Sequence, residues 1–340
     1  MNHIFYLHSN TCVISAYDII EDLVSKQETV IIVSERNTKF SFFKGKVLFY
    51  DMQKIIDRYR NPSKNVFCKF LNYKKQIIPH CGLYAKEIID NMDFVFYTPS
   101  YNMYSVKPFL LDRHCKGYYF IEEGFMAYLS DDTLRKHYYN RRYKGGRFLL
   151  DLVGTGDFYD YYVTNNFKGC YGLTDYSFPW CDNKVITKFD GYFSNLLYDD
   201  VDVNSLITTD WLSDTIEILQ SAFKAVVDKI NINRCSKIAI KFHPTAFINE
   251  KGKIDILIEY LHRNYDNIEF IILPASFSVE ALMYHRTVNI YCIFGVSSLQ
   301  LYALMLKSRP FIVSKNEEID IKEIESIPEF VEIATKDWEN

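Results

Sequence analysis

At 340 residues the chain is long enough for two ordinary domains, each with a sizeable core. Its 48% hydrophobic and 24% charged content reads as globular, and a net charge of −4 excludes wholesale nucleic-acid binding, which draws on a basic surface. No apolar stretch reaches the ~18–20 residues of a membrane span, and MNHIFYLHSN lacks the pattern of a signal peptide, so a cytoplasmic location is expected. The first apolar run, His3–Leu7, is followed by polar His8-Ser9-Asn10-Thr11 and a helical pattern from Cys12 to Val24. Further short apolar runs follow at Thr29–Ser34, Lys46–Tyr50, Phe94–Tyr97 and Gly117–Ile121. Such runs, alternating with amphipathic helices, predict a parallel sheet covered on both faces.

Residues 165–205 lose clear periodicity, and Thr174–Trp180 is the most loop-like stretch, which predicts a domain boundary near 190. Beyond it the pattern resumes. Helices are predicted at Asp214–Ile230, Lys253–Tyr265, Val279–Tyr284 and Ser298–Leu306. Strands are predicted at Lys237–Phe242, Ile268–Leu273, Thr287–Ile293 and Pro310–Val313. Two α/β domains, 1–190 and 191–340, are the expected architecture, with ligands at the carboxyl ends of the strands. The eight cysteines contain no C-x-x-C pair, which favours buried free thiols over zinc ligation or a disulfide framework. His80-Cys81 and His114-Cys115 lack metal-ligand spacing, and Gly154-Thr155-Gly156 lacks the third glycine of a dinucleotide fingerprint.

Three short motifs sit where an α/β fold places its chemistry. Glu122-Glu123-Gly124 follows an apolar run, so two carboxylates leave a strand end and a glycine permits a sharp turn. Either acid is placed to take a proton from an attacking hydroxyl, and two solvated turn residues are the competing reading. His243-Pro244 also follows a buried strand, where an imidazole can donate to a departing phosphate. Lys241 adds positive charge on the same side of an alternating strand. Ser297-Ser298 lies between a strand and a helix, a phosphate site or simply an N-cap. The same grammar recurs from Pro274 to Glu280, where Glu280 binds ribose hydroxyls or stabilises the first helical turn. Asn10, in the His8-Ser9-Asn10-Thr11 run after the first strand, either faces the same cleft or belongs to a helix cap. The basic-aromatic stretch 135–147 suits anionic headgroups, an anionic acceptor or a solvated helix face.

In this order the motifs resemble those of the bacterial sialyltransferases of GT-B fold, above all the lipooligosaccharide sialyltransferase and polysialyltransferase groups. Those families share an acidic pair followed by Gly, then His-Pro, then Ser-Ser or Ser-Thr, matched here by Glu122-Glu123-Gly124, His243-Pro244 and Ser297-Ser298. The resemblance implies two Rossmann-like domains facing each other across a cleft, the first binding the acceptor and the second the CMP-sugar donor. It implies inverting transfer of sialic acid from CMP-sialic acid, without metal or other cofactor, to a glycan or glycolipid acceptor such as lipopolysaccharide or capsule. Glu122 or Glu123 would be the base, and which of them stays open. His243 would assist the leaving CMP phosphate; Ser297 and Ser298 would hold it, with Pro244, Pro274, Glu280 and Asn10 also lining the binding sites. Peripheral contact with the cytoplasmic face of the inner membrane is a further expectation. A Kdo-type transferase and a non-catalytic nucleotide- or sugar-binding protein are the alternatives.

Overall fold

The computed structural model describes residues 1–35, 47–60, 71–99, 105–132, 165–187, 202–209, 214–231, 236–243, 250–275, 277–293, 298–306 and 308–312, with a few isolated positions between them. The chain divides into two compact units, Met1–Asn195 and Leu196–Asn340.

The first unit is built on a seven-stranded parallel sheet in the order β3-β2-β1-β4-β5-β6-β7. The strands are β1 Asn2–Leu7, β2 Thr29–Ser34, β3 Val47–Asp51, β4 Phe94–Thr98, β5 Cys115–Ile121, β6 Phe167–Gly172 and β7 Lys184–Ile186. The helices are α1 Asn10–Ser25, α2 Met52–Tyr59, α3 Ile78–Ile89 and the single turn α4 Lys107–Leu110. Ile4, Phe5, Tyr6 and Leu7 of β1 are fully buried in succession, so both faces of the sheet are covered, as an apolar run without alternation requires. Helix α1 starts where Ser9 Oγ accepts the Cys12 amide at 3.3 Å, a side-chain N-cap that satisfies a donor the helix itself leaves open.

The second unit repeats the plan with five parallel strands in the order β10-β9-β8-β11-β12. These are β8 Ser205–Thr209, β9 Lys237–Lys241, β10 Glu269–Ile272, β11 Asn289–Ile293 and β12 Arg309–Ile312. Helices α5 Ile216–Asn231, α6 Lys251–Asn264, α7 Val279–His285 and α8 Ser298–Met305 intervene. Leu219, Phe223, Val226, Val227 and Ile230 recur at helical spacing along α5 and are buried, with the Phe223 ring 6.2 Å from Phe242. In both sheets the order reverses beside the first strand of the unit, between β1 and β4 and between β8 and β11. The carboxyl ends there are the place where this architecture binds ligands.

One segment departs from expectation. Residues 165–205 contain two strands, β6 and β7, and end where β8 begins at Ser205. Two glycines hide β6 from a propensity reading. Gly169 sits at φ +137°, and a Cβ there would lie 2.2 Å from the Asn183 carbonyl oxygen, so the close approach of the segment leading into β7 excludes any side chain. The Thr174–Trp180 stretch is a run of turns as predicted. Among the described residues seven cysteines are free, six buried and Cys68 exposed. The basic stretch 135–147 lies outside the described residues.

Candidate active site

The acidic pair separates into two environments. Glu122, the residue after β5, is fully buried. Its carboxylate accepts hydrogen bonds from the Tyr128 hydroxyl at 2.6 Å, the Leu173 amide at 2.7 Å and the Ser177 hydroxyl at 2.6 Å. Its backbone is held as firmly, since the amide donates to Tyr171 at 3.0 Å and the carbonyl accepts from Ser15 Oγ of α1 at 2.9 Å. A buried carboxylate is tolerated only with such a set of donors, so Glu122 pins the end of β5 to β6, α1 and the turn after β6. The Tyr128 phenol is raised far above its usual range, its own burial being the main cause and the adjacent Glu122 carboxylate adding to it.

Glu123 turns the other way. Its side chain keeps 20% of its exposure, and Oε2 lies 3.0 Å from His8 Nε2. His8 closes β1 and is buried, with Nδ1 3.6 Å from the Cys12 sulfur in the first turn of α1. Burial alone would depress the imidazole, but Cys12, by charge and hydrogen bond, and then Glu123 outweigh it and lift His8 to about 10. Cys12 and Glu123 thus bias His8 toward its charged form. His8, Cys12 and Glu123 bring one ligand-capable atom each to within 4.8 Å of one another. Cys12 carries no C-x-x-C or adjacent His-Cys motif, so the sequence does not mark it as a site residue. The signal it does offer is a His and a Cys four residues apart across a strand-to-helix turn.

Gly124 supplies the turn after the pair at φ +134°, ψ −146°, a region open to glycine alone. Gly124→Ala is expected to cost about 1–3 kcal/mol and to move Glu123 off its His8 contact. Urea denaturation and the backbone and imidazole NMR shifts of His8 would show both effects. Asn10 lies one residue beyond the Ser9 N-cap and is half-buried.

In the second unit, Lys241 ends β9 and is buried, its Nζ donating to the Ala275 carbonyl at 2.9 Å. Burial depresses its ammonium to about 8, with Glu280 pulling the other way. His243, two residues on, is half-buried, and its carbonyl accepts the Ala246 amide at 2.8 Å. Glu280 is buried in the first turn of α7, where Ser278 caps the helix through the Ala281 amide at 3.2 Å and donates to Glu280 Oε2 at 3.0 Å. The capping reading of this segment thus holds in full. It leaves the proximity of Glu280 to Lys241 as the part capping does not explain. Pro274 is exposed at the end of β10 and its carbonyl accepts the Phe277 amide at 3.0 Å. Ser298 is the first residue of α8 and half-buried, whereas Pro244 and Ser297 lie outside the described residues.

A buried ammonium with one neutral acceptor costs stability. Below pH ~8 both folded and unfolded chains hold the Lys241 proton, and the fold bears the whole cost, about 3 kcal/mol. Between about 8 and 10.5 only the unfolded chain holds it, so the Lys241 contribution becomes less unfavourable as pH rises across that window. Lys241→Met is expected to stabilise the second unit by about 2 kcal/mol at pH 7, after ~1 kcal/mol for the stranded Ala275 carbonyl, and by much less at pH 10. Paired denaturation curves at the two pH values would check the sign.

No family model and no curated protein matches the sequence. Solved structures do match in shape. A UDP-GlcNAc 2-epimerase from Neisseria meningitidis superposes with a TM-score of 0.53 at 14% identity, over 99% of this chain and 95% of its own. A sialyltransferase from Photobacterium damsela gives 0.51 at 12%, over 98% of this chain and 78% of its own. The chain has the two-domain GT-B fold. A UDP-N-acetylglucosamine 2-epimerase from Rickettsia bellii, at 0.52 and 11% identity, covers 100% of this chain and 90% of its own. GT-B proteins of this shape thus include both nucleotide-sugar epimerases and glycosyltransferases. Among the described residues no helix of this GT-B chain is long and apolar enough to cross a membrane.

Proposed function

We propose that this chain is an inverting, metal-independent sialyltransferase that moves sialic acid from CMP-sialic acid to a hydroxyl of a bacterial surface glycan, lipopolysaccharide or capsule. The observation that carries the reading is the division of labour at the end of β5. Glu122 is consumed by structure, while Glu123 stands at the strand end, partly exposed and held by His8. Glu123 is then the base: Oε2 engages His8, and Oε1 takes the proton of the acceptor hydroxyl as its oxygen attacks the anomeric carbon. Oxygen–carbon bond formation and cleavage of the bond to CMP invert that centre. His243 donates to the departing phosphate, and Ser298 at the start of α8, with Ser297 before it in sequence, receives it. Lys241 gives the second unit a buried cation, kept at a cost to stability, which suits a donor bearing both a phosphate and a carboxylate. Glu280 would take the ribose hydroxyls.

A second reading is favoured by the two UDP-GlcNAc 2-epimerases, which align over 95% and 90% of their own lengths against 78% for the sialyltransferase. The two readings part on one assay. A transferase releases CMP from CMP-sialic acid only with a galactoside present and adds a sialyl residue to it. An epimerase leaves the CMP donor untouched and converts UDP-GlcNAc in the absence of any acceptor. A Kdo-type transferase would release CMP from CMP-Kdo instead, and a non-catalytic binding protein would turn over none of them.

A further inference from the structure

We propose that a thiophilic divalent cation of the zinc class binds His8, Cys12 and Glu123 and switches the enzyme off by occupying the carboxylate. The site itself stands on geometry alone; its effect on turnover rests on the reading of Glu123 as the base. The three side chains leave the end of β1, the first turn of α1 and the end of β5 and meet with ligand atoms within 4.8 Å. One nitrogen, one sulfur and one oxygen form a donor set that zinc accepts, and a thiol donor disfavours the oxygen-seeking Mg²⁺ and Ca²⁺.

Tetrahedral zinc holds such ligands roughly 3.3–3.6 Å apart. The imidazole now bridges the other two groups, Nε2 3.0 Å from Glu123 and Nδ1 3.6 Å from Cys12. Binding needs the ring to swing so that one nitrogen meets the metal beside the sulfur and the carboxylate oxygen. The ion enters from the Glu123 side, since that carboxylate is 20% exposed and Cys12 is wholly buried. Ser9 Oγ, 3.0 Å from the Cys12 sulfur, steadies the ligating thiolate. Any proton held by the ligating sulfur or imidazole nitrogen leaves to solvent as the metal binds. Three protein ligands leave a fourth position for water, and the carboxylate can no longer accept a proton from an acceptor hydroxyl.

Co²⁺ is the probe, because a cobalt–thiolate bond absorbs in the near ultraviolet where the apoprotein and aqueous cobalt do not interfere once each is subtracted. The full chain is expected to take one equivalent with that band. Cys12→Ala and Cys12→Ser should lose it, and Glu123→Gln should bind on the order of tenfold more weakly or worse. No band in the parent protein, or a band retained in a folded Cys12 variant, would overturn the site. Should neither Cys12 variant fold, unchanged cobalt affinity in Glu123→Gln overturns it equally. One equivalent of Zn²⁺ should lower CMP release at least tenfold, with EDTA restoring it; full turnover with metal bound would overturn the switch. If no CMP-sugar is turned over by the parent protein, the functional reading fails by itself and the cobalt band still decides the site.

Discussion

Glu123→Gln lowers the rate of sugar transfer by roughly 10²–10⁴-fold and leaves the fold in place. The amide keeps an oxygen that can accept from His8, so the contact at the end of β5 survives in shape, at a cost of no more than about 1 kcal/mol. What it loses is the ability to take a proton. The loss should fall on kcat, with KM for the donor unchanged, because the donor is proposed to bind in the second unit and the carboxylate acts only as the hydroxyl attacks. Steady-state kinetics with a CMP-sugar donor, beside a thermal melt of the same preparation, checks both halves. A Glu123→Gln protein of full activity would remove this residue from the mechanism.

Glu122→Ala behaves in the opposite way, losing stability first. Three donors, the Tyr128 and Ser177 hydroxyls and the Leu173 amide, would be left facing a cavity in a region closed to water. Removing a buried, fully hydrogen-bonded carboxylate costs about 3–5 kcal/mol, a large part of the stability of a domain this size. Glu122→Gln should be milder, at about 1–2 kcal/mol, because it keeps one acceptor oxygen and the neighbouring hydroxyls can turn to meet its amide. A double substitution of Glu122 and Glu123 would confound the two effects, whereas the single variants separate the proposed base from a structural carboxylate. Urea denaturation followed by circular dichroism reads the stability; activity is compared on the fraction still folded.

Much of this organisation was legible in the sequence, and the reasons differ from place to place. The strands β1, β2, β4 and β5 are continuous apolar runs, a pattern that only two-sided burial rewards, so they announced a parallel sheet. The expectation that Glu122-Glu123, His243 and Ser297-Ser298 carry chemistry rests on the tendency of α/β sheets to place it at strand ends. Strand β6 was hidden by the glycines that its neighbours require, and β7 by being three residues long. The choice between Glu122 and Glu123 was hidden for a deeper reason. Adjacent residues of an extended chain point to opposite faces, and which face is the core depends on Tyr128, Leu173 and Ser177, 6 to 55 residues away. No local pattern carries that information. The cost of burying Lys241 was equally out of reach, since a lysine at the end of an apolar run reads as a solvated strand terminus until its neighbours are known. Cys12 was in plain sight but only as the opening of a helix.

The proposed transfer from a CMP-linked donor turns on Glu123 taking a proton from the acceptor hydroxyl. The most direct measurement mixes the purified chain with CMP-sialic acid and lactose in the presence of EDTA, following CMP release and the mass of the acceptor together. Equimolar CMP and sialylated acceptor are expected, at a rate that chelation does not lower and that drops at least a hundredfold in Glu123→Gln. Transfer that stops on adding EDTA, or that proceeds at the parent rate in Glu123→Gln, would contradict the proposal.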